Sequence, residues 1–230
     1  MSVSLSSHAQ IFFPAPQDNS LKEFVRKLPA MTRSCHNRTL VLDLDETLIH
    51  CSSSPIDFPD NIIYLTSRGQ KKTLYVKYRP GLFEFLNRVS QKFELVVFTA
   101  STREYAEQVI NKIDYQRRLL KYRLYREDCT QVSGQYVKDL EKLGRDLSKV
   151  VILDNSVTAF LYHLNNGIPI ASWFSDPCDR ELEKACFLLE QLVMLDDVRP
   201  ALHSMFNLPK LLDEFKQSLI EGKCLSNCSN

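Results

Sequence analysis

The run Thr39-Leu-Val-Leu42 passes directly into Asp43-Leu-Asp-Glu-Thr47. A run this apolar reads as a strand buried on both faces, the kind found inside an α/β sheet. Open sheets of that class place their chemistry at the carboxyl ends of the strands, and here that end carries Asp43 and Asp45, two residues apart. In an extended or gently turning segment both carboxylates can point into one small volume. Two like charges at that distance, partly removed from water, are costly unless a cation or a proton intervenes. The pattern therefore predicts a metal ion, a shared proton, or both.

The rest of the chain supports such a sheet. After the first strand, 62–66 and 73–78 read as a β-hairpin around Gly69, followed by an amphipathic helix over 82–90 that opens after Pro80. A strand over 94–99, a helix over 102–113, short strands near 122–126 and 135–138 and a strand over 150–154 come next. A helix over 157–163, a strand at 168–171 and helices over 179–195 and 208–218 complete the reading. Alternating strands and helices predict an α/β fold with a doubly wound, mostly parallel sheet, carrying a small β-hairpin insertion. Residues 1–36 read as an irregular N-terminal arm, partly docked by Phe24 and Leu28, residues 37–218 as one domain, and 219–230 as a flexible tail. Only 55 residues separate Asp43 from Thr99 and 38 separate Thr99 from Lys138, so no large cap domain is expected in either interval.

Three predicted strands end in Asp43, Thr99 and Asp154, and adjacent parallel strands share one crevice at that edge. Asp43 is the candidate nucleophile, since a carboxylate can attack phosphorus and divide one displacement into two. Asp45 is the candidate acid and base. Thr99, with the backbone around Ala100, and Lys138 in Tyr136-Val-Lys-Asp-Leu140 offer donors to phosphoryl oxygens, Lys138 as a mobile cation. Asp154 and Asn155 supply hard oxygens suited to Mg²⁺. Each residue alone has an ordinary reading: a helix cap for Thr99, a solvated lysine for Lys138, an Asx turn for Asp154-Asn155. Their order along the chain is what points to phosphoryl transfer.

Four segments, Asp43–Thr47, Thr99, Lys138 and Asp154-Asn155, resemble the motifs of the haloacid dehalogenase (HAD) superfamily. Within it, the strings Leu42–His50, Val97–Ser101, Leu143–Leu147, Ile152–Ser156 and Ile168–Phe174 resemble the FCP/SCP-type phosphatases of the RNA polymerase II C-terminal domain and related phosphoproteins. The likeness runs from about 38 to 216 and is nearest the small phosphatase-like 2 and Dullard-type subgroups. It implies a Mg²⁺-dependent phosphoserine/phosphothreonine phosphatase acting on a phosphorylated protein, the polymerase tail or a signalling phosphoprotein. It implies Asp43 as nucleophile, Asp45 as acid/base, and a metal held by the Asp43 carboxylate, the Asp45 carbonyl, Asn155 and, through water, Asp154. Thr47 and Arg126 are implied on the substrate phosphate. Where the polymerase-tail enzymes carry an aromatic residue after the nucleophile, this chain has Ser53, with Phe58 as the available substitute. The rival is a noncatalytic phosphoprotein-binding or scaffold protein on the same fold.

Composition narrows the partners. With 29 basic and 28 acidic residues the net charge is +1, which gives no reason to expect direct nucleic-acid binding; Lys71, Lys72, Lys77 and Arg79 read as a solvated hairpin. No apolar run reaches the ~18 residues of a membrane span, and the seven scattered cysteines, with no C-x-x-C pair, read as reduced thiols. Cys51 reads as a buried small apolar residue and His50 as a structural hydrogen-bonder. The expected location is the nucleus, the cytoplasm or both. Cys-x₅-Arg and the Gly-rich phosphate loop are both missing from the sequence, which argues against thiol phosphatase and nucleotide-loop chemistry.

Overall fold

The computed structural model describes residues 28–30, 37–67 and 69–220. In chain order these form β1 (Thr39–Leu42), β2 (Ile49–Ser52), β3 (Asn61–Ser67), β4 (Gln70–Tyr78), α1 (Leu82–Val89), β5 (Glu94–Phe98), α2 (Arg103–Ile113) and β6 (Tyr122–Leu124). Then follow β7 (Thr130–Val132), β8 (Gln135–Val137), β9 (Val150–Asp154), β10 (Gly167–Pro169), α3 (Glu181–Leu192), α4 (Arg199–Phe206) and α5 (Leu208–Ile220).

The central sheet has the order β10-β9-β1-β5-β6 and every pairing in it is parallel. β1 and β9 are buried along their whole length, as strands covered on both faces must be. Side-chain alternation sends Leu40, Leu42, Leu95, Val97, Val151 and Leu153 to one face, packed with α1, α2 and α3. Val41, Val96, Phe98, Val150 and Ile152 go to the other, against Leu140, Leu143, Phe160 and Leu208. Leu42 pairs with both Val97 and Leu153, so β1, β5 and β9 stop at one level and their ends form one edge.

Several elements differ from the sequence reading. The insertion is a three-stranded antiparallel sheet, β2-β4-β3, one strand larger than the hairpin expected. β2 has only one fully buried residue, Ile49, so pairing with β4 rather than apolar content makes it a strand. The helix expected over 157–163 is a 3₁₀ run, Val157–Asn166, with non-helical backbone at Phe160 and His163. Val157 and Phe160 are buried three apart, the repeat of a 3₁₀ turn. Strand β7 and helix α4 complete the additions. At the opposite end of the sheet, Leu28 N–H donates to the Leu143 carbonyl, and Arg145 holds the carbonyls of Leu28 and Pro29 as well as the Glu94 carboxylate. Leu28 is thus docked as expected, while Phe24 lies outside the described residues.

Candidate active site

The Asp43 amide still belongs to the sheet, donating to the Leu153 carbonyl at 3.0 Å, so its carboxylate stands at the carboxyl edge. The turn after it is tight. Glu46 adopts φ 58°, its N–H donates to the Ile49 carbonyl, and its carbonyl accepts from Trp173. A left-handed non-glycine residue in such a turn is mildly strained and is held by those bonds. The reversal carries Thr47 back toward β9, where its hydroxyl donates to Asn155 Oδ1 and accepts the Asn155 N–H, both at 3.3 Å. Thr47, expected on the phosphate, is fully buried and bonds Asn155.

Lys138, just beyond β8, is 1% exposed. Its Nζ donates to Asp43 Oδ1 at 2.5 Å and to Asp154 Oδ2 at 2.6 Å, a buried carboxylate–ammonium–carboxylate row. The mobile lysine anticipated from the sequence is therefore pinned. Burial by itself favours the neutral amine, but the charges and hydrogen bonds of Asp154 and Asp43 outweigh it and hold Lys138 well above the ordinary lysine range. Burial pushes the Asp154 carboxyl up and Asp43 adds to that, while Lys138 opposes both. With an ammonium on one oxygen and the Ser156 N–H on the other at 2.8 Å, Asp154 is arranged as a carboxylate.

Asp45 points elsewhere. Its Oδ1 accepts from Tyr105 Oη at 2.5 Å and its Oδ2 from Ser101 Oγ at 2.7 Å. Burial raises its pKa, the nearby Asp43 charge adds, and the two hydroxyl donors only partly offset them. A carboxyl held up in this way can carry a proton and give it away. Tyr105 itself is pushed above the usual phenol range by burial and by Asp45, and so remains a donor. Ser101 and Tyr105 escaped the sequence reading: Ser101 lies in the loop before the Thr102 N-cap and Tyr105 in the first turn of α2, so no helical periodicity pairs them.

Thr99 is buried just past the end of β5, and its hydroxyl accepts the Ser101 N–H at 3.0 Å. The Ala100 carbonyl accepts from Arg126 Nε at 2.7 Å. Arg126 also lies 5.0 Å from the Tyr136 ring centroid, and it is exposed rather than packed over the sheet. It lines, with Asp45, an open cleft of about 430 Å³ whose wall includes Ser53 and Tyr105. Phe58 does not replace the aromatic absent at Ser53: it is 92% exposed and lies off the cleft lining. Cys51 lines the cleft half-buried, with burial raising its thiol so that it stays protonated, and His50 bonds Glu46 at 3.1 Å as a structural residue.

The oxygens that the resemblance assigns to a hard divalent cation, the Asp43 carboxylate, the Asp45 carbonyl and Asn155 with Asp154 through water, stand at or just past the ends of β1 and β9, and Asp154 Oδ2 is held by Lys138. Asn155 is oriented by donating from Nδ2 to Ser172 Oγ at 2.9 Å. Among the described residues no three His, Cys, Asp or Glu side chains close a metal cage. Mg²⁺ suits an incomplete set, since it keeps waters and substrate phosphate oxygens in its shell. Among the described residues Lys138 is the cation paired with Asp43 and Asp154, and Asp45 lies near Asp43, so a second positive charge also fits the electrostatics.

Arg79 was another surprise. Read as part of a solvated basic cluster, it is 1% exposed. It binds the Thr47 and Ala171 carbonyls and both oxygens of Asp179, tying the turn after Asp45 to the segments after β10 and before α3.

A parallel α/β sheet presenting two carboxylates just past β1, a lysine just past β8 and an Asp-Asn pair at the end of β9 has the architecture of the HAD superfamily. Fission yeast RNA polymerase II CTD phosphatase Fcp1 shares the fold, at a TM-score of 0.53 and 24% identity over 78% of this chain and 57% of that one. A second Fcp1 structure, described as an essential RNA polymerase II CTD phosphatase, gives 0.54 and 26% over 75% and 53%. Residues 38–199 match the NLI interacting factor-like phosphatase family, and the chain belongs to that family. It is 47% identical over 182 residues to CTD small phosphatase-like protein 3 of Caenorhabditis elegans, covering 79% of this chain and 63% of that protein. It is 44% identical over 187 residues to CTD small phosphatase-like protein 2 of Dictyostelium discoideum, covering 81% and 33%. To the human CTD small phosphatase-like protein it is 44% identical over 170 residues, covering 74% and 61%. The chain thus spans less than two thirds of each of these relatives.

Proposed function

We propose that this protein is a Mg²⁺-dependent phosphatase of phosphoserine and phosphothreonine in proteins, working through an aspartyl-phosphate on Asp43. The observation that carries the reading is the buried row Asp43–Lys138–Asp154 beside a separately held Asp45. In the first step an Asp43 oxygen attacks phosphorus, the ester P–O bond breaks, and the leaving alkoxide takes a proton from Asp45. In the second, Asp45 takes a proton from water as the water oxygen attacks phosphorus; inorganic phosphate leaves and Asp43 returns as a carboxylate. Lys138, with Thr99 and Arg126, supplies positive charge and donors to the phosphoryl oxygens, most strongly as charge develops in the transition state. Mg²⁺, when bound at Asp43, Asn155 and the Asp45 carbonyl, neutralises charge between nucleophile and phosphate. The open cleft favours a phosphorylated side chain on another protein over an enclosed metabolite. The substrate class is a phosphoprotein, the polymerase tail or a signalling phosphoprotein, and Ser53 in place of the tail-binding aromatic bears on the choice between them. Nuclear or cytoplasmic residence accords with such a substrate.

The test is phosphate release from a phosphoserine and phosphothreonine peptide library, with and without Mg²⁺, using Asp43→Asn as the blank. Turnover that needs Mg²⁺ and disappears in the variant is expected. Silence on every peptide and on an aryl phosphate would transfer the site to a phosphoprotein-binding or scaffold role.

A further inference from the structure

The cleft beside Asp45 carries a second cation from a different element. Alternation along β4 puts Lys72 on the same face as Leu74 and Val76, both buried, while Lys71 and Thr73 point the other way. Lys72 pairs across the ladder with Leu65, and both line the cleft that Arg126 also lines. The lysine ion pairs among the described residues involve Lys138, Lys149, Lys184 and Lys210, leaving Lys72 without a carboxylate. β2 pairs with β4 only over Tyr75–Tyr78, so beside Lys72 the other side of β4 is open and the lysine is placed to guard that edge against unwanted pairing; its position in the cleft lining, together with Arg126, is what gives it a further role. Opposite Leu65 in the ladder, Lys72 is exposed and forms part of the cleft wall.

We propose that Lys72 is a specificity residue that receives a second anionic group of the substrate, a carboxylate or another phosphate ester flanking the phosphoresidue, while Arg126 serves the phosphate that reacts. This rests on the phosphatase reading above. Arg126 is held by the Ala100 carbonyl and the Tyr136 ring at one wall, so the two cations have separate footings and are suited to two anions rather than one. The substrate class is accordingly an acidic or multiply phosphorylated segment of a protein.

The experiment compares kcat and KM on phosphopeptides of one core sequence in which each flanking position is Glu, phosphoserine, Ala or Lys. Wild type is expected to prefer an anion at one flank by about fivefold in kcat/KM, expressed in KM, the range of a partly exposed ion pair. The Glu and phosphoserine arms show which anion is favoured. Lys72→Glu should move the preference toward Lys at that flank, a gain that misfolding does not produce. Lys71→Glu makes the same charge change on the opposite face and should leave the preference in place. A flat wild-type profile, an equal shift in both variants, or faster release from phosphorylated oligonucleotide ends than from any peptide would overturn the proposal. Wild-type silence on an aryl phosphate would instead remove the phosphatase reading on which it rests, an outcome distinct from a flat profile.

Discussion

Lys138 shows how much one buried cation controls. It stands between two carboxylates that would otherwise face each other out of water. Lys138→Met keeps the bulk and removes the charge. Turnover of an aryl phosphate is expected to fall about 10²–10³-fold with the loss of a charged donor at the phosphate. Stability in urea is expected to fall by about 3 kcal/mol, because Asp43 and Asp154 are left buried without their counterion. Tyr105→Phe is subtler, since it keeps the ring and removes only the hydroxyl that donates to Asp45. Losing one hydrogen bond to a carboxylate should lower kcat about tenfold with KM little changed, as expected of a group that orients the acid/base rather than the substrate. Steady-state kinetics on the wild type and the phenylalanine variant check this.

At the level of elements, the 3₁₀ run Val157–Asn166 and β10 depend on one glycine. A Cβ built on Gly167 would lie 2.0 Å from Cε2 of Phe160, whose ring is fully buried. Gly167→Ala should therefore cost about 2 kcal/mol through overpacking, read as a lower urea midpoint. The amphipathic pattern of this segment did not distinguish an α-helix from a 3₁₀ run, because buried residues three apart fit either. Helix α4, by contrast, had signals that could have been used. Asp197 accepts the Arg199 N–H at 2.9 Å, and Pro200 sits in the first turn. β2 had no comparable mark, since its Ile49-His-Cys-Ser sequence becomes a strand only through pairing with β4.

Across the whole molecule, Arg79 joins segments that the chain keeps far apart. It contacts Asp179, which is 100 residues away, and the Thr47 and Ala171 carbonyls. Burial pushes the Asp179 carboxyl up, but the hydrogen bond and charge of Arg79 outweigh it and leave it below the ordinary range. A carboxyl lowered on folding adds stability that is present above its unfolded pKa and is lost as pH falls through the folded value. Asp179→Asn should be less stable than wild type by about 3 kcal/mol at pH 7. The gap should narrow as pH drops below about 4, where unfolded carboxylates take up protons. Urea unfolding of both proteins at several pH values measures it. The sequence by itself determined the parallel sheet and the common edge of Asp43, Thr99 and Asp154. Apolar runs such as Val150-Val-Ile-Leu153 mark doubly buried strands, and parallel strands place their carboxyl ends along one edge of the sheet. Only the tertiary structure decided that Lys138 is pinned to Asp43, 95 residues away, that Asp45 turns to Ser101 and Tyr105, and that Arg79 is interior. Those contacts join side chains across different elements, and nothing in local periodicity records which cation meets which carboxylate once the layers close.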